Sequence, residues 1–154
     1  MERDALPTCS FGSGPELEER LAALVIAGRK RATVWDGAEE NPTAPGMRWR
    51  VTAGGRPVAV IETLTVGRRR FCEIDADFAA TEGEGDRSLR FWQLAHEEHF
   101  RKAGGFDPDM WLWCETFRLV EVIDTVLAGA AADHVAAEEA EARAWLARKD
   151  HPAG

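Results

Sequence analysis

The sequence predicts a single α+β domain in which helices surround an open or closed antiparallel sheet, and two observations carry this prediction. The first is the length of 154 residues, which suits one domain because domains commonly hold about 100–200 residues. The second is the order of periodic segments, which runs helix, β-hairpin, two helices, strand and terminal helix. With 45% hydrophobic and 30% charged residues, the composition excludes disordered, collagen-like and disulfide-rich proteins.

The first predicted elements are a helix and a short strand. Apolar residues recur at helical spacing from Pro15 to Gly28, and glutamates stand near the helix start, where the helix dipole favours acids. Ser13 is in position to cap this helix, and Gly28 is in position to end it. A short strand is predicted over residues 32–35, followed by a polar loop over residues 37–46.

A β-hairpin follows in the prediction. Residues 47–52 alternate between apolar and polar types, and residues 58–66 are rich in β-branched side chains. The Ala-Gly-Gly-Arg segment between them is typical of a tight turn.

The second half of the chain is predicted to hold two helices, a long strand and a terminal helix. Residues 75–81 fit a short helix that is capped by its first residue, and residues 88–103 fit a longer one. Residues 111–123 are rich in β-formers. After a joint over residues 125–129, the alanine- and glutamate-rich residues 130–149 predict a terminal helix.

The charge is unevenly distributed along the chain. The formal net charge is −8, yet residues 28–70 hold 9 basic and 4 acidic residues. This block contains the basic triplets 29–31 and 68–70, which could build a cleft that faces phosphate groups. The alternative is a solvated surface that nearby acidic residues neutralise.

The sequence does not indicate a membrane protein, a secreted protein or a zinc-knuckle protein. No apolar run approaches the roughly 18 residues that a membrane span needs, and residues 1–10 lack the apolar core of a secretory signal. Cys9, Cys72 and Cys114 are widely spaced, which favours free thiols over a zinc or redox motif. We therefore expect a cytoplasmic protein and leave its oligomeric state open.

The first candidate for chemistry is the segment Gly28-Arg29-Lys30-Arg31-Ala32-Thr33. If Lys30 is buried, desolvation would lower its pKa, because burial disfavours the ammonium form. A neutral Lys30 could then take a proton from the hydroxyl of Thr33. The alternative interpretation is an ordinary surface pair after a helix.

The second candidate is the acidic, glycine-punctuated loop over residues 82–86. Asp86 or Ser88 could cap the helix that follows. Glu84 has no capping duty, and so it is the better candidate for acid–base work.

Two further patterns are less specific. His96 and His99 are three residues apart on a predicted helix and could share a metal ion, but no third ligand is evident, and His96 could instead pack beside Trp92. We therefore predict no metal ligands, although a divalent metal cofactor is left open. Among six tryptophans, Trp35 is the preferred residue to stack a nucleobase; a core position is the alternative.

Together these segments resemble an ASCH domain of the PUA-like superfamily. The resemblance runs from about Phe11 to Ile123 and leaves the terminal helix outside, so we predict an ASCH domain over residues 1–124 and a helical extension over residues 125–154. The matching pieces are the G-x-K-x-x-T segment at 28–33, PVAVIETLTV at 57–66, FAATEGEGDRSLRFWQLAHEEHF at 78–100 and CETFRLVEVI at 114–123.

The resemblance implies a small β-barrel of antiparallel strands surrounded by helices, with a cleft lined by the G-x-K-x-x-T segment. It implies binding of RNA, a nucleoside or a nucleotide, and two activities occur in the family. One is cleavage of single-stranded RNA, and the longer branch that carries it looks closer to this chain. The other is deacetylation of N4-acetylcytidine, with Thr33 as nucleophile, Lys30 as its activator and Glu84, or alternatively Glu82, as proton donor.

We therefore predict a protein that binds RNA or a nucleotide and hydrolyses single-stranded RNA in a basic cleft around the G-x-K-x-x-T segment. The amidohydrolase activity and a non-catalytic RNA-binding module are the alternatives. The predicted catalytic residues are Lys30, Thr33 and Glu84, and the predicted substrate-binding residues are Arg29, Arg31, Trp35, Arg68, Asp86 and Ser88.

Overall fold

A computed structural model describes residues 2–151 and confirms the α+β class, with one mixed sheet of five strands and four α-helices. The sheet order is β1-β3-β4-β5-β2. Two single-turn 3₁₀ helices, Arg3–Ala5 and Phe71–Glu73, were not predicted. The other elements are β1 (Thr8–Cys9), α1 (Pro15–Ile26), β2 (Ala32–Asp36), β3 (Arg48–Ala53), β4 (Arg56–Arg70), α2 (Ala76–Glu82), α3 (Leu89–Lys102), β5 (Trp111–Val122) and α4 (Thr125–Asp150).

The sheet is not closed into a barrel, and in this respect the predicted architecture is wrong. β1 and β2 are the two edges of the sheet. Closing the barrel would require β1 to pair with β2. β1 has only two residues, which pair parallel with β3, and this edge is too short to form such a pairing. The predicted hairpin of β3 and β4 is confirmed.

Two hydrophobic cores form around the sheet. The first packs α1 and the start of α4 against β3, β4 and β5, with Phe11 and Phe117 stacked inside it. The second packs α2 and α3 against residues of β2 and β5, with Phe71 and Trp92 in contact. The segment between α1 and β2 passes between the two cores, because the backbone of Arg31 bonds both Thr81 and Phe117.

The beginning of α1 differs from the prediction. Gly14 occupies the N-cap position with a φ of 87°, and no side chain caps the helix. The predicted cap by Ser13 is therefore wrong. The helix ends at Ile26, and Gly28 then reverses the chain with a φ of 77°, a conformation that favours glycine.

The predicted joint over residues 125–129 is also wrong, because α4 already begins at Thr125. The carboxylate of Asp124 accepts the backbone N–H of Leu127, and such a cap offsets the low helix propensity of Gly129. Leu127 and Ala131 lie in the first core. No helix within residues 2–151 is both long and apolar enough to cross a membrane. The division into a domain and an extension at Asp124 stays a prediction.

Candidate active site

Lys30 is the centre of the site and is almost fully buried, with 1% of the residue exposed. Its Nζ donates hydrogen bonds to the carbonyl oxygen of Ala32 at 2.7 Å and to Oε2 of Glu84 at 2.9 Å. Oε1 of Glu82 lies 3.9 Å from the same nitrogen, and the ring centre of Phe11 lies 5.1 Å from it. The structure therefore brings two predicted catalytic residues, Lys30 and Glu84, into direct contact.

Two glycines give the acidic loop its shape. Gly83 ends α2 with a φ of 76°, and a Cβ added there would overlap the carbonyl oxygen of Arg29. Gly85 has a φ of 64°, and a Cβ added there would overlap the ring of Phe91. Because glycine alone permits both approaches, the loop can lie against the Lys30 segment and direct Glu84 toward Nζ.

Arg29 holds this loop in place. Its guanidinium donates to the carbonyl oxygens of Gly83 at 3.0 Å and Gly85 at 2.9 Å, and it pairs with Glu139 of α4. On the other side of the loop, the backbone N–H of Gly85 donates to Glu138 at 2.8 Å. The guanidinium of Arg29 is thus engaged by protein groups, and its arrangement supports positioning of the loop in place of the predicted substrate binding.

The pKa of Lys30 moves in the direction opposite to the prediction. Burial alone would lower it, but the charges of Glu84 and Glu82 and the hydrogen bond to Glu84 outweigh burial, so the pKa is raised above its ordinary value. Lys30 is therefore an ammonium group at neutral pH. It cannot accept a proton from Thr33 unless it first gives one up.

Glu82 lies at the end of α2, not in the loop, and it joins Lys30 to His96. Glu82 Oε1 is 3.4 Å from His96 Nε2, and His96 Nδ1 donates to the carbonyl oxygen of Trp92 at 2.8 Å. Burial opposes the charge of Glu82, but His96 and Lys30 outweigh it and lower the pKa of Glu82. Burial likewise opposes protonation of His96, while Glu82 and Glu84 raise its pKa above the ordinary value.

The predicted packing of His96 beside Trp92 is confirmed, since the two rings stack with centres 4.3 Å apart. His99 lies on the exposed side of α3 and is not part of the ligand cluster that forms around His96. Donor atoms of Glu82, Glu84 and His96 lie within 4.8 Å of one another and could hold a metal ion. The ammonium of Lys30 already neutralises part of this cluster.

The Glu82–His96 pair predicts a window of pH-dependent stability. The raised pKa of His96 stabilises the fold below about pH 6.5, and this stability is lost as the pH rises through the folded-state pKa. The lowered pKa of Glu82 stabilises the fold above about pH 4.5, and this is lost on acidification through its folded-state pKa. In denaturant titrations, His96→Gln should therefore cost most between these limits and progressively less as the pH rises further, through the folded-state pKa of His96. His99→Gln is the matched control, and a cost for His96→Gln that does not fall at alkaline pH would contradict the pairing.

Glu115 is a third carboxylate near Lys30 that the sequence reasoning missed. Thr63 donates to Glu115 Oε2 at 2.7 Å, Thr43 bonds Thr63 at 2.7 Å, and the indole N–H of Trp49 donates to Thr43 at 2.9 Å. Burial raises the pKa of Glu115, although Thr63 and Lys30 act against the rise. The available signal was a single acid among the mostly apolar residues 111–117 of the last strand.

Thr33 lies directly opposite Glu115 in the pairing of β2 with β5. Side chains at directly opposed positions share a face of the sheet, so Thr33 and Glu115 lie on the same face. Trp35 is opposite Trp113 on that face, and the two ring centres are 6.4 Å apart. Trp35 is half-buried and its N–H donates to the carbonyl oxygen of Glu40.

The remaining predicted binding residues separate into two groups. Asp86 accepts the backbone N–H of Ser88, and Ser88 accepts that of Phe91, so the capping interpretation is confirmed for Ser88, whereas Asp86 closes the turn before the helix and does not cap it. Arg31 and Arg68 are exposed. The immediate surroundings of Lys30 are acidic, which corrects the expectation of a basic cleft around the G-x-K-x-x-T segment.

A family model and solved structures both show similarity between this chain and ASCH domains. The family model described as "ASCH domain" matches residues 7–121. A crystal structure of an ASCH domain from Lactobacillus crispatus is 29% identical, with a TM-score of 0.68, and the match covers 79% of this chain and 87% of that one. A protein of known structure from Enterococcus faecalis is also 29% identical, with a TM-score of 0.66, and the match covers 77% of this chain and 82% of that one. No curated protein matches the chain.

Proposed function

The chain belongs to the ASCH domain family, and from that membership we propose that it binds single-stranded RNA beside Lys30 and hydrolyses it. The observation that carries the proposal is the Lys30–Glu84 pair. Glu84 has 22% of its side chain exposed, whereas Lys30 has 1%. A carboxylate that reaches solvent and is fixed from behind by a buried ammonium group is suited to proton transfer with a bound substrate.

In RNA cleavage, Glu84 would take the proton of a ribose 2′-hydroxyl. The 2′-oxygen would then form a bond to the adjacent phosphorus, and the bond from phosphorus to the 5′-oxygen of the next nucleotide would break. The leaving 5′-oxygen would take a proton from solvent, and water would then open the resulting 2′,3′-cyclic phosphate. Lys30 orients Glu84 through the 2.9 Å hydrogen bond and places positive charge close to the reacting groups. The exposed Arg31 and Arg68 would contact phosphates, and Trp35 would contact a base.

A second candidate, hydrolysis of N4-acetylcytidine, is favoured by the acidic surroundings of Lys30. Glu82, Glu84 and Glu115 suit an uncharged nucleoside better than a phosphate. Thr33 would attack the acetyl carbonyl carbon and form an acyl-enzyme, and the amine would leave with a proton. Because Lys30 is charged, it would first pass a proton to Glu84. The neutral Lys30 would then take the proton of the Thr33 hydroxyl, and Glu84 would protonate the leaving amine. Water would hydrolyse the acyl-enzyme, which releases acetate and restores Thr33.

Product analysis distinguishes these candidates. Purified protein is incubated with single-stranded RNA and, separately, with N4-acetylcytidine, and the products are identified by mass spectrometry. We expect shortened RNA, and Thr33→Val should leave RNA cleavage within a few-fold because that mechanism has no acyl-enzyme. If the unmodified protein releases free cytidine and acetate and Thr33→Val does not, the protein would instead be assigned as an amidohydrolase. RNA binding without any product would contradict both and leave a binding module.

A further inference from the structure

Two arginines of β4 are stacked on tryptophans of β5 along one face of the sheet. The guanidinium carbon of Arg68 lies 4.5 Å from the ring centre of Trp113, and that of Arg70 lies 4.5 Å from the ring centre of Trp111. The register pairs the same residues directly across the two strands. We name these four side chains the arginine–tryptophan ladder.

The ladder is partly exposed, with Arg68 and Trp111 exposed and Arg70 and Trp113 half-buried, and its positive charge is not neutralised by acidic side chains. Within residues 2–151, neither Arg68 nor Arg70 has a carboxylate within salt-bridge distance. Arg70 donates one hydrogen bond to the carbonyl oxygen of Asp109, and Trp111 is 45% exposed. A guanidinium stacked on a ring keeps its plane fixed and leaves N–H groups at its edge free to bind a phosphate.

The ladder leads toward the candidate active site. Residues two apart on a strand lie on the same face, so Trp111, Trp113 and Glu115 follow one another along β5. Glu115 is opposite Thr33 and close enough to Lys30 that each shifts the pKa of the other. A ligand that extends from Glu84 along this face would therefore meet Arg68 first and Arg70 second.

We propose that the arginine–tryptophan ladder binds the backbone of a single-stranded RNA whose reacting nucleotide occupies the active site. Arg68 and Arg70 are two residues apart, which is about 6.5–7 Å along a strand and is comparable to the spacing of successive phosphates in an extended chain. The substrate is thus an oligonucleotide of at least three nucleotides, not a free nucleoside. This inference rests on the proposed function and specifies its substrate class.

The overall charge favours a nucleic-acid occupant where arginines lack an acidic partner. The chain has a net charge of −8, so most of its surface repels phosphate. The ladder places two such arginines, the exposed Arg68 and the half-buried Arg70, on one face of the sheet. Arg69 lies between the two ladder arginines in sequence but on the opposite face, with its guanidinium over Phe78 beside a pocket of about 220 Å³. It therefore provides a control of equal charge.

The test compares Arg68→Gln/Arg70→Gln with Arg69→Gln, using fluorescein-labelled single-stranded RNA and anisotropy between about 50 and 200 mM salt. Each phosphate contact on a single strand contributes about −0.7 to the slope of log K against log salt. We expect the double variant to bind at least tenfold more weakly and to lose about 1.4 from that slope. Arg69→Gln should bind within twofold of the unmodified protein. Thermal unfolding of each variant confirms that the fold is intact.

A length series completes the test: affinity should rise steeply from one to three nucleotides in the unmodified protein and remain flat in the double variant. Equal losses in Arg69→Gln would overturn the ladder as the binding track, as would full affinity in the double variant. If an acidic peptide displaces the labelled RNA at a lower concentration than an unlabelled oligonucleotide does, the ladder would be reassigned to a protein partner. If RNA binds and is cleaved normally in the double variant, the proposed function stands and this inference fails. If the unmodified protein neither binds nor cleaves RNA, the proposed function itself fails.

Discussion

Replacing Lys30 by methionine is expected to lower the free energy of unfolding by about 3–5 kcal/mol, because removal of one partner leaves a buried charge without compensation. Glu82 is 1% exposed, and its Oε2 has no hydrogen-bond partner among the described residues. The ammonium of Lys30 and the imidazole of His96 are the nearby positive groups that keep it charged. Denaturant unfolding at neutral pH measures the loss.

The double variant Lys30→Met/Glu82→Gln separates this cause from the loss of packing. With the carboxylate removed, the uncompensated charge disappears, and most of the lost stability should return. Lys102→Met is the matched control, since Lys102 has 77% of its side chain exposed in a pair with Glu98 and should change stability by no more than about 1 kcal/mol. A double variant that is as unstable as Lys30→Met would contradict the electrostatic explanation. Loss of activity in a Lys30 variant must therefore be interpreted together with its stability.

Replacing Glu84 by glutamine is expected to lower kcat for RNA hydrolysis by about 10²–10⁴-fold, the usual contribution of a general acid or base. The amide oxygen can still accept the hydrogen bond from Lys30 Nζ, and Glu82 remains at 3.9 Å to offset the ammonium charge. The fold should therefore persist, and RNA affinity should change little. Steady-state kinetics and anisotropy on the same preparation measure both quantities.

The control for Glu84→Gln is Glu97→Gln on α3. Glu97 has 42% of its side chain exposed and, within the described part of the chain, pairs only with Arg101 one helical turn away, so the same change of charge should leave kcat within about twofold. Hydrolysis at an undiminished rate in Glu84→Gln would rule out Glu84 as the proton-transfer group. An equal fall in both variants would indicate that net charge, not proton transfer, is responsible.

The sequence identified the candidate catalytic residues but not the charges that surround them. The G-x-K-x-x-T segment and the acidic loop pointed to Lys30 and Glu84, and these two side chains meet. The direction of the Lys30 pKa was predicted wrongly, because it depends on which carboxylates surround Nζ. Glu82 and Glu84 are more than fifty positions away along the chain, and no local pattern states that they face the same nitrogen.

The local sequence also failed to indicate the contacts of Arg29 and Glu115. Arg29 is part of a conspicuous basic triplet, yet contacts with Gly83, Gly85 and Glu139 engage its charge. Glu115 stands in an unremarkable strand, yet the strand register places it opposite Thr33 and beside Thr63. Composition and spacing cannot rank such residues, because their roles follow from partners that the fold selects.

The sequence by itself determined the local structure and the family. Helical periodicity, the caps at Asp75 and Ser88, the glycine turn of the hairpin and the β-rich last strand all act over a few residues, and each was predicted close to its observed bounds. The tertiary structure decided the open sheet, the ionised state of Lys30, the alignment of Arg68 and Arg70 over tryptophans, and the partners of each acid. The physical reason is range: hydrogen bonds and side-chain packing within a turn are encoded locally, whereas burial and charge pairing depend on segments that meet only when the chain has folded.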